Sequence, residues 1–148
     1  MSPLRAFIAT SFFKALPTLR LRVWYLRKLG AKIEKNTRIH SVDFMNAESG
    51  FEGLIIGSNC YLGPGVLIDL AGEIHIMDGA VISARTILLS HDDPGASHNS
   101  PLCKYFPPAK RTTVIGSSCW LGAGSIVLAG TKIGEQCVIA AGSARSTG

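Results

Sequence analysis

The sequence predicts an all-β parallel solenoid, with a short helical segment before it and one loop extruded from it. The main observation is a six-residue repeat, in which aliphatic residues occupy Ile115, Leu121, Val127, Ile133 and Ile139. The second is that the fifth position of each six-residue unit is small or β-branched. A period of six fits neither the 3.6-residue period of an α-helix nor simple two-residue alternation, but it fits a short strand followed by a corner. Three such units close a triangular coil, and stacked coils bury the aliphatic positions in one core.

The same register appears upstream, and its interruptions locate a loop. Aliphatic residues recur at Ile56, Leu62 and Ile68, at Ile76, Ile82 and Leu88, and more weakly at Ile33 and Ile39. Between Leu88 and Ile115 the register is broken by residues 91–111, which contain four prolines and no six-residue period. Unstructured insertions of this length in a compact domain are usually functional or disordered. His91 therefore marks the root of an extruded loop.

The cysteines are explained by packing rather than by chemistry. Cys60, Cys119 and Cys137 all occupy the fifth position of a six-residue unit, where a small buried residue is expected, and only Cys103 does not. The four cysteines show no Cys-x-x-Cys spacing and no regular pairing with histidine. This pattern does not favour a metal site.

Residues 1–30 are predicted to form an amphipathic helical segment, and residues 31–148 the solenoid domain. Leu, Phe and Trp alternate with Arg and Lys over residues 3–29, with a break near Pro17. Such a segment can cap the open first coil, whose unpaired strand edge would otherwise invite aggregation. It can also lie on a membrane surface. Both interpretations stay open at this point.

Composition and charge bound the location and the partners. The net charge of +5 suits an anionic partner, such as a phosphorylated cofactor or a membrane surface. The longest uncharged run near the N-terminus, residues 6–13, is far shorter than the roughly 20 residues that span a bilayer. Basic residues also interrupt any secretory signal. We therefore expect a cytoplasmic protein, with peripheral contact at the inner face of the membrane as an open alternative.

Three stretches carry a resemblance to a known family. They are the segment NCYLGPGVLIDLAG, the loop root LLSHDD and the later repeats VIGSSCWLGAGSIVLAGTKIGEQCVIAAGS. These stretches resemble the hexapeptide-repeat acyltransferases, especially the maltose, galactoside and polysaccharide O-acetyltransferases. The similarity covers residues 54–144. It implies a left-handed parallel β-helix, a homotrimer with active sites between subunits, and acetyl-CoA as acyl donor. It further implies a sugar or cell-surface polysaccharide precursor as acceptor, with no metal and no nucleic acid.

The loop root supplies the predicted catalytic base. Removing a hydroxyl proton during attack on a thioester suits an imidazole, whose pKa lies near the working pH. His91 matches the catalytic base of the family; His98, seven residues further along a predicted flexible loop, is the weaker alternative. By resemblance, Asp69 is expected to contact the acceptor, although an Asp at a corner can instead bond its own backbone. Ser90, beside His91 in the loop root, is the other predicted substrate-binding residue.

The donor side of the predicted site lies on the later repeats. A backbone N–H fixed at a corner can stabilise the negative charge that develops on a thioester oxygen. By resemblance, the amide of Ala123 is the predicted donor of that hydrogen bond, and Trp120 lines the same groove. Ala141 matches a backbone contact to the pantetheine arm of coenzyme A. Outer packing remains the alternative interpretation of Trp120.

The residues after the last repeat depart from the family. The Thr-Lys segment that these enzymes carry there aligns with Ser146 and Thr147 in this chain, so the lysine of the family is absent. Either Lys110, Arg111 and Arg145 bind the coenzyme phosphates instead, or donor binding is weakened.

Two other function classes are compatible with a solenoid of this kind. A zinc enzyme resembling the gamma-class carbonic anhydrases would require three convergent histidines, and the spacing of His75, His91 and His98 does not favour it. A catalytically inert scaffold is the other alternative. The departure at Ser146 and Thr147 makes it plausible, because a chain that lacks the family's lysine there could fail to bind acetyl-CoA.

Overall fold

The computed structural model describes residues 1–146, in which two α-helices precede a parallel β-helix. Thr147 and Gly148, the last two residues of the predicted solenoid domain, lie outside the described residues. The helices are α1 (Pro3–Ala15) and α2 (Leu19–Lys28). The strands in chain order are β1 (Lys32–Ile33), β2 (Arg38–Ile39), β3 (Asp43–Met45), β4 (Leu54–Ile56), β5 (Tyr61–Leu62), β6 (Leu67–Asp69), β7 (Ile74–Ile76), β8 (Val81–Ile82), β9 (Ile87–Leu88), β10 (His91–Asp92), β11 (Ala109–Lys110), β12 (Thr113–Ile115), β13 (Trp120–Leu121), β14 (Ile126–Val127), β15 (Lys132–Ile133), β16 (Val138–Ile139) and β17 (Ala144–Arg145).

Fifteen of these strands form three faces of five strands each. The first sheet runs β1-β4-β7-β12-β15, the second β2-β5-β8-β13-β16 and the third β3-β6-β9-β14-β17. Every neighbouring pair within the three sheets is parallel. Each coil contributes one strand to each sheet, so the chain winds through the three faces in turn. This confirms the predicted parallel solenoid with short N-terminal helices and one extruded loop.

The repeat positions build the core in layers. The first positions of successive units pair in register, as Ile56 does with Ile76 and Leu62 with Ile82, and these side chains are fully or almost fully buried. The fifth positions form a second buried set, which comprises Thr37, Cys60, Val66, Ala80, Thr86, Cys119, Ser125 and Thr131. Both sets point inward, and together they fill the prism. Cys60 and Cys119 are thus buried as packing predicts, while Cys137 is half-buried.

The fourth position of each unit makes the corner. Asn59 and Gly65 both have φ near +60°, with values of 57° and 69°. Glycine and asparagine adopt this left-handed conformation most readily, which accounts for their frequency in the repeat. Arg85 adopts the same conformation at φ 60°, so the stacked coils impose the corner even on a residue that does not favour it.

The N-terminal helices cover the first coil. Phe13 of α1 is buried and its ring lies edge-on to Phe44 at 5.4 Å between centroids. Arg27 of α2 donates from Nε to the carbonyl of Ile33 at 2.8 Å, and from Nη2 to that of Glu34 at 3.1 Å. The helices thereby bury the open end of the core and occupy carbonyl groups next to its first strand. Within residues 1–146, no helix has the length and apolar character needed to cross a membrane.

The extruded loop is more ordered at its base than its sequence predicts. β10 and β11 form an antiparallel ladder, with His91 opposite Lys110 and Asp92 opposite Ala109. Beyond the ladder lie two short 3₁₀ helices, Ala96–His98 and Pro101–Lys104. Arg111 Nε lies 3.2 Å from Asp92 Oδ2 across the base. The strand that leaves the solenoid, β10, is therefore paired with the strand that returns to it, β11. This pairing fixes the backbone of His91.

Candidate active site

The predicted catalytic histidine lies where the third sheet passes to the first. We call this region the histidine corner and define it as residues 69–73, 89–91 and 111–112. Ser90 is fully buried, and His91, the next residue, is the first to emerge, with 27% of its side chain exposed. The ladder to Lys110 directs the chain outward from this point. His91 is thus held between a buried corner and a paired loop base.

His91 is oriented by a buried carboxylate. Its Nδ1 lies 2.6 Å from Oδ2 of Asp69, at the end of β6 on the preceding coil. An ionised carboxylate can only accept hydrogen bonds, so the proton of this bond resides on Nδ1. In the neutral imidazole, Nε2 is then the unprotonated nitrogen and is able to accept a proton.

The Asp69 carboxyl is fully buried and is held ionised by its partners. Oδ2 also accepts from the backbone N–H of Ser90 at 2.8 Å, while Oδ1 accepts from Asn46 Nδ2 at 2.7 Å and from the N–H of Ala71 at 3.1 Å. Burial alone would raise the pKa of this carboxyl, but the hydrogen bonds from His91, Asn46, Ser90 and Ala71 outweigh it and lower the pKa from 3.8 to about 2. Asp69 is therefore negative over the whole neutral range.

The Ser90 hydroxyl makes hydrogen bonds within the same corner. Its Oγ accepts from the N–H of Gly72 at 2.8 Å and lies 2.8 Å from the carbonyl oxygen of Asp69 and 3.0 Å from Oδ2. The corner is so close that a Cβ on Gly72 would sit 2.6 Å from the Ser90 carbonyl oxygen. The acceptor contacts of Asp69 and Ser90 stay predictions. Both side chains are buried and bonded within the chain.

The predicted donor-side residues lie at a different corner. Ala123 and Ala141 belong to the turns between the second and third sheets, which we call the alanine corner and define as residues 63–65, 83–85, 122–124 and 140–142. A shallow groove of about 630 Å³ follows it, lined by Pro64, Gly65, Ala84, Arg85, Ala123 and Gly124. Trp120, in β13, is largely exposed beside this corner, and its Nε1 donates to Ser83 Oγ at 3.0 Å.

One chain does not bring the two corners together. The third sheet separates them, and on the fourth coil Ala123 precedes this sheet while Leu128 follows it. The residues from Ala123 to Leu128 include the turn at Gly124 and span up to about 16 Å. His91 lies on the side of the third sheet where its strands end. Trp120, Ala123 and Ala141 lie before the strands of that sheet begin. The structure therefore joins His91 with Asp69 and Ser90, and separates this group from the predicted donor-side residues.

The repeats match a known family model. Residues 112–144 match the model described as bacterial transferase hexapeptide (six repeats). The chain therefore contains the hexapeptide repeat of this family. Among curated relatives, the bifunctional protein GlmU of Acinetobacter baumannii is 30% identical over 129 residues. That match covers 75% of this chain and 28% of GlmU, so this hexapeptide-repeat protein spans about a quarter of the length of the curated relatives that it matches.

Two solved structures share its fold over nearly the whole chain. A hexapeptide-repeat-containing acetyltransferase from Vibrio cholerae superposes with a TM-score of 0.78 at 17% identity, covering 95% of this chain and 76% of that one. A galactoside acetyltransferase in complex with coenzyme A superposes with a TM-score of 0.76 at 23% identity, covering 94% of this chain and 68% of that one. The hexapeptide-repeat protein thus has the left-handed β-helix that its resemblance implies.

The other three histidines have different surroundings. The His40 ring lies 5.2 Å from that of Tyr61, and His75 Nε2 lies 3.1 Å from Glu73 Oε2. His98 sits in a 3₁₀ helix of the loop. Within the described residues, no three His, Cys, Asp or Glu side chains are grouped as a metal site would need. The hexapeptide-repeat protein therefore offers no observation in favour of the zinc alternative.

Sequence reasoning misses two residues that shape the histidine corner, Gly72 within it and Asn46 beside it. Asn46 comes from the first coil, where the repeat is weak, and the pairing of Met45 with Asp69 brings it beside the carboxylate. Gly72 lies in the two-residue excess between coils and carries no motif. Asn46 precedes Asp69 by 23 residues, which is not a multiple of the six-residue repeat, so the sequence pattern does not connect the two. It could not have been found without the strand pairing.

Proposed function

We propose that this hexapeptide-repeat protein is an acetyl-CoA-dependent O-acetyltransferase acting on a sugar or cell-surface polysaccharide precursor. The observation that carries the proposal is the contact of 2.6 Å between His91 Nδ1 and buried, ionised Asp69. An imidazole oriented in this way is a general base for a hydroxyl group. The resemblance of the loop root to the O-acetyltransferases and the fold shared with a galactoside acetyltransferase support the sugar class.

His91 performs the proton transfers of this mechanism. Its Nε2 accepts the proton of the acceptor hydroxyl as that oxygen forms its bond to the acyl carbon. Asp69 stabilises the imidazolium that results, because the carboxylate remains ionised and bonded to Nδ1. His91 then returns the proton to the departing sulfur, so the base is regenerated without a covalent enzyme intermediate. Asp69 and Ser90 act as positioning residues in this scheme, in place of the acceptor contacts predicted from sequence.

The alanine corner fits an extended acyl donor. When bound, acetyl-CoA supplies a thioester carbonyl that a hydroxyl can attack. Apart from Arg85, the groove residues are small. Among the hydrogen bonds of the described residues, the amides of Ala123 and Ala141 donate none within the chain. Their N–H groups are thus available to the amide-bearing pantetheine arm and to a developing negative oxygen. Arg85, in the same groove, adds a positive charge suited to a phosphate.

The site requires a second copy of the chain. Because His91 and Ala123 occupy opposite edges of the third sheet, one protomer cannot present both to the same reacting group. The outer face of the second sheet also carries a partly exposed apolar ladder, in which Val81, Trp120 and Val138 pair in register. We propose a homotrimer in which His91 of one protomer faces the alanine corner of its neighbour, as the family resemblance implies.

We place the enzyme in the cytoplasm. All four cysteines are free thiols, and Cys60 and Cys119 are buried at positions where packing requires a small residue. Reduced cysteines are the norm in that compartment. A reporter fusion assayed in intact cells and in fractionated lysate would test this assignment, and a signal confined to an extracytoplasmic fraction would contradict it.

A turnover screen tests the proposed reaction. The full chain is incubated with acetyl-CoA and a panel of sugars, oligosaccharides and lipid-linked glycan precursors, and release of free thiol is followed. We expect thiol release that depends on a hydroxylated acceptor and is abolished in His91→Ala. Acetyl-CoA binding without turnover on any acceptor, or no binding at all, would support the inert scaffold instead.

Mixed oligomers test the shared site. His91→Ala and Ala123→Pro are each expected to be inactive, but co-expression with separate tags produces trimers containing both. A shared site needs an intact His91 from one copy and an intact Ala123 from another, so random mixing should restore roughly a quarter of the wild-type turnover. No recovery in a confirmed mixed trimer would mean that the site lies within one chain.

A further inference from the structure

The first helix is apolar on two opposite faces. Its inner face buries Ala6, Ala9 and Phe13 against the first coil. Its outer face, which we call the α1 outer face, exposes four large apolar side chains by 51–68%, namely Leu4, Phe7, Ile8 and Phe12. These four recur at the three- and four-residue spacing of one helix face. A helix that is apolar all round is normally buried on both sides, and here residues 1–146 cover only one side.

Positive charge surrounds this apolar face. The first 33 residues contain no Asp or Glu, and they contain seven basic residues, namely Arg5, Lys14, Arg20, Arg22, Arg27, Lys28 and Lys32. Lys14 forms an ion pair with Asp43, and Arg27 bonds carbonyl groups beside the first strand. Arg5, Arg20 and Lys28 are exposed. The helical cap is therefore strongly cationic.

We infer that the α1 outer face docks on an anionic lipid bilayer. Apolar side chains enter the boundary between headgroups and acyl chains, and the surrounding cations pair with lipid phosphates. The charge decides between occupants, because a second copy docked through the same face would bring two cationic caps together, whereas an anionic bilayer is complementary to them. Both interpretations of the helical segment then hold, the inner face as a cap and the outer face as a membrane contact.

Docking through α1 places the active site near the bilayer, an inference that rests on the proposed function. α1 packs on the 3₁₀ helix Ala47–Ser49, which directly follows Asn46, and Asn46 bonds Asp69. Along the solenoid, β3 and β9 are two strand spacings apart, or about 10 Å. His91 therefore lies near the membrane end of the molecule, on the same corner that supports α1. This position suits an acceptor glycan carried on a lipid.

Vesicle binding tests the docking surface. The full chain is sedimented with phosphatidylcholine vesicles, with and without phosphatidylglycerol, at low and high salt. We expect binding only to the anionic vesicles, weakened by salt because the Debye length falls from about 10 Å at 0.1 M to about 3 Å at 1 M. The double variant Phe7→Ser, Ile8→Ser should bind roughly tenfold or more weakly, since two large apolar contacts are lost.

A matched control separates this face from general hydrophobicity. Tyr105→Ser, Phe106→Ser removes two equally exposed aromatic side chains from the extruded loop and should leave vesicle binding unchanged. Light scattering of each variant reports the oligomeric state. Absence of binding to anionic vesicles, equal loss in both double variants, or a smaller oligomer in Phe7→Ser, Ile8→Ser would each overturn the proposal, the last by showing that a second copy covers the face. The vesicle result is independent of turnover, so it can fail while the proposed function stands.

Discussion

The histidine corner and the alanine corner are made from the same repeat but differ in how they present chemical groups. The histidine corner buries a carboxylate that accepts hydrogen bonds from four donors, and it exposes one imidazole. The alanine corner exposes backbone amides among small side chains. The first depends on side-chain identity and the second on backbone conformation. A parallel β-helix can thus supply a base and a hydrogen-bond donor from one repeat, provided that two copies meet.

The largest effect is expected at the base itself. His91→Ala removes the group that accepts the hydroxyl proton, so kcat should fall by about 100- to 10,000-fold while acetyl-CoA affinity stays unchanged. Steady-state turnover and calorimetric titration of the donor check the two halves of this expectation. His98→Ala, in the loop, is the matched control and should change kcat by no more than about twofold. The opposite ranking of the two variants would assign the base to His98.

The second effect isolates a single backbone N–H at the alanine corner. Pro64 occupies the position of Ala123 two coils earlier, which shows that this turn accepts proline. Ala123→Pro therefore deletes the N–H with little change in backbone, and kcat should fall by about 100- to 1,000-fold. Ala123→Ser keeps the N–H and should remain within a few-fold of the wild type. Comparable activity of the Pro and Ser variants would remove Ala123 from the mechanism.

A smaller loss is expected when the orientation of the base is disturbed. In Asp69→Asn the amide can donate to Nδ1, which favours the tautomer with its proton on Nε2, and kcat should fall roughly 10- to 100-fold. Asn46→Ala removes only the bond to Oδ1 and leaves Oδ2 facing His91, so it should cost less. Rates measured across pH for both variants separate a changed base from a merely loosened corner. Equal losses would mean that Asp69 acts only through packing.

The repeat explains how much of this comparison the sequence could predict. The six-residue register locates the coils, the extruded loop and the place of His91 at its root, because inward positions must be aliphatic or small in every coil. The alanine corner also follows from the register, since Ala123 lies in the turn after Leu121. Positions within one repeat unit are therefore readable from sequence alone.

Contacts between coils are the part that sequence could not supply. The bond between Asp69 and His91 joins residues 22 apart, and Asn46 reaches the same carboxylate from 23 residues earlier. Both distances depart from a regular coil because residues are inserted at the turns. The burial of Asp69 and Ser90 likewise depends on how the loop base closes over the corner.

The buried carboxylate also makes a pH-dependent contribution to stability. The pKa of Asp69 is lowered from 3.8 to about 2, so its contribution is fully present above about pH 5 and is lost as the pH falls toward 2. A shift of this size corresponds to about 2 kcal/mol of the free energy of unfolding. Urea unfolding of the wild type and Asp69→Asn at pH 6 and near pH 2.5 should show the difference between them shrink on acidification. A difference independent of pH would contradict the ionised, hydrogen-bonded state of Asp69.

The smallest effect compares one glycine from each corner. At Gly72 a Cβ would lie 2.6 Å from the Ser90 carbonyl oxygen and 3.1 Å from that of Arg111, so Gly72→Ala must displace backbone and should destabilise the fold by about 2 kcal/mol. At Gly124 the added Cβ meets nothing within 4 Å, and only its φ of 67° opposes alanine, at a cost of about 1 kcal/mol. Urea unfolding measures the change in the free energy of unfolding for both variants, and turnover measures whether the active site is disturbed. Gly72→Ala shifts the backbone that carries Ser90 and His91 and should lower kcat, whereas Gly124→Ala leaves the histidine corner intact and can act on turnover only through the donor groove that it lines. If Gly124→Ala proved the more destabilising of the two, closer packing at the histidine corner than at the alanine corner would be contradicted.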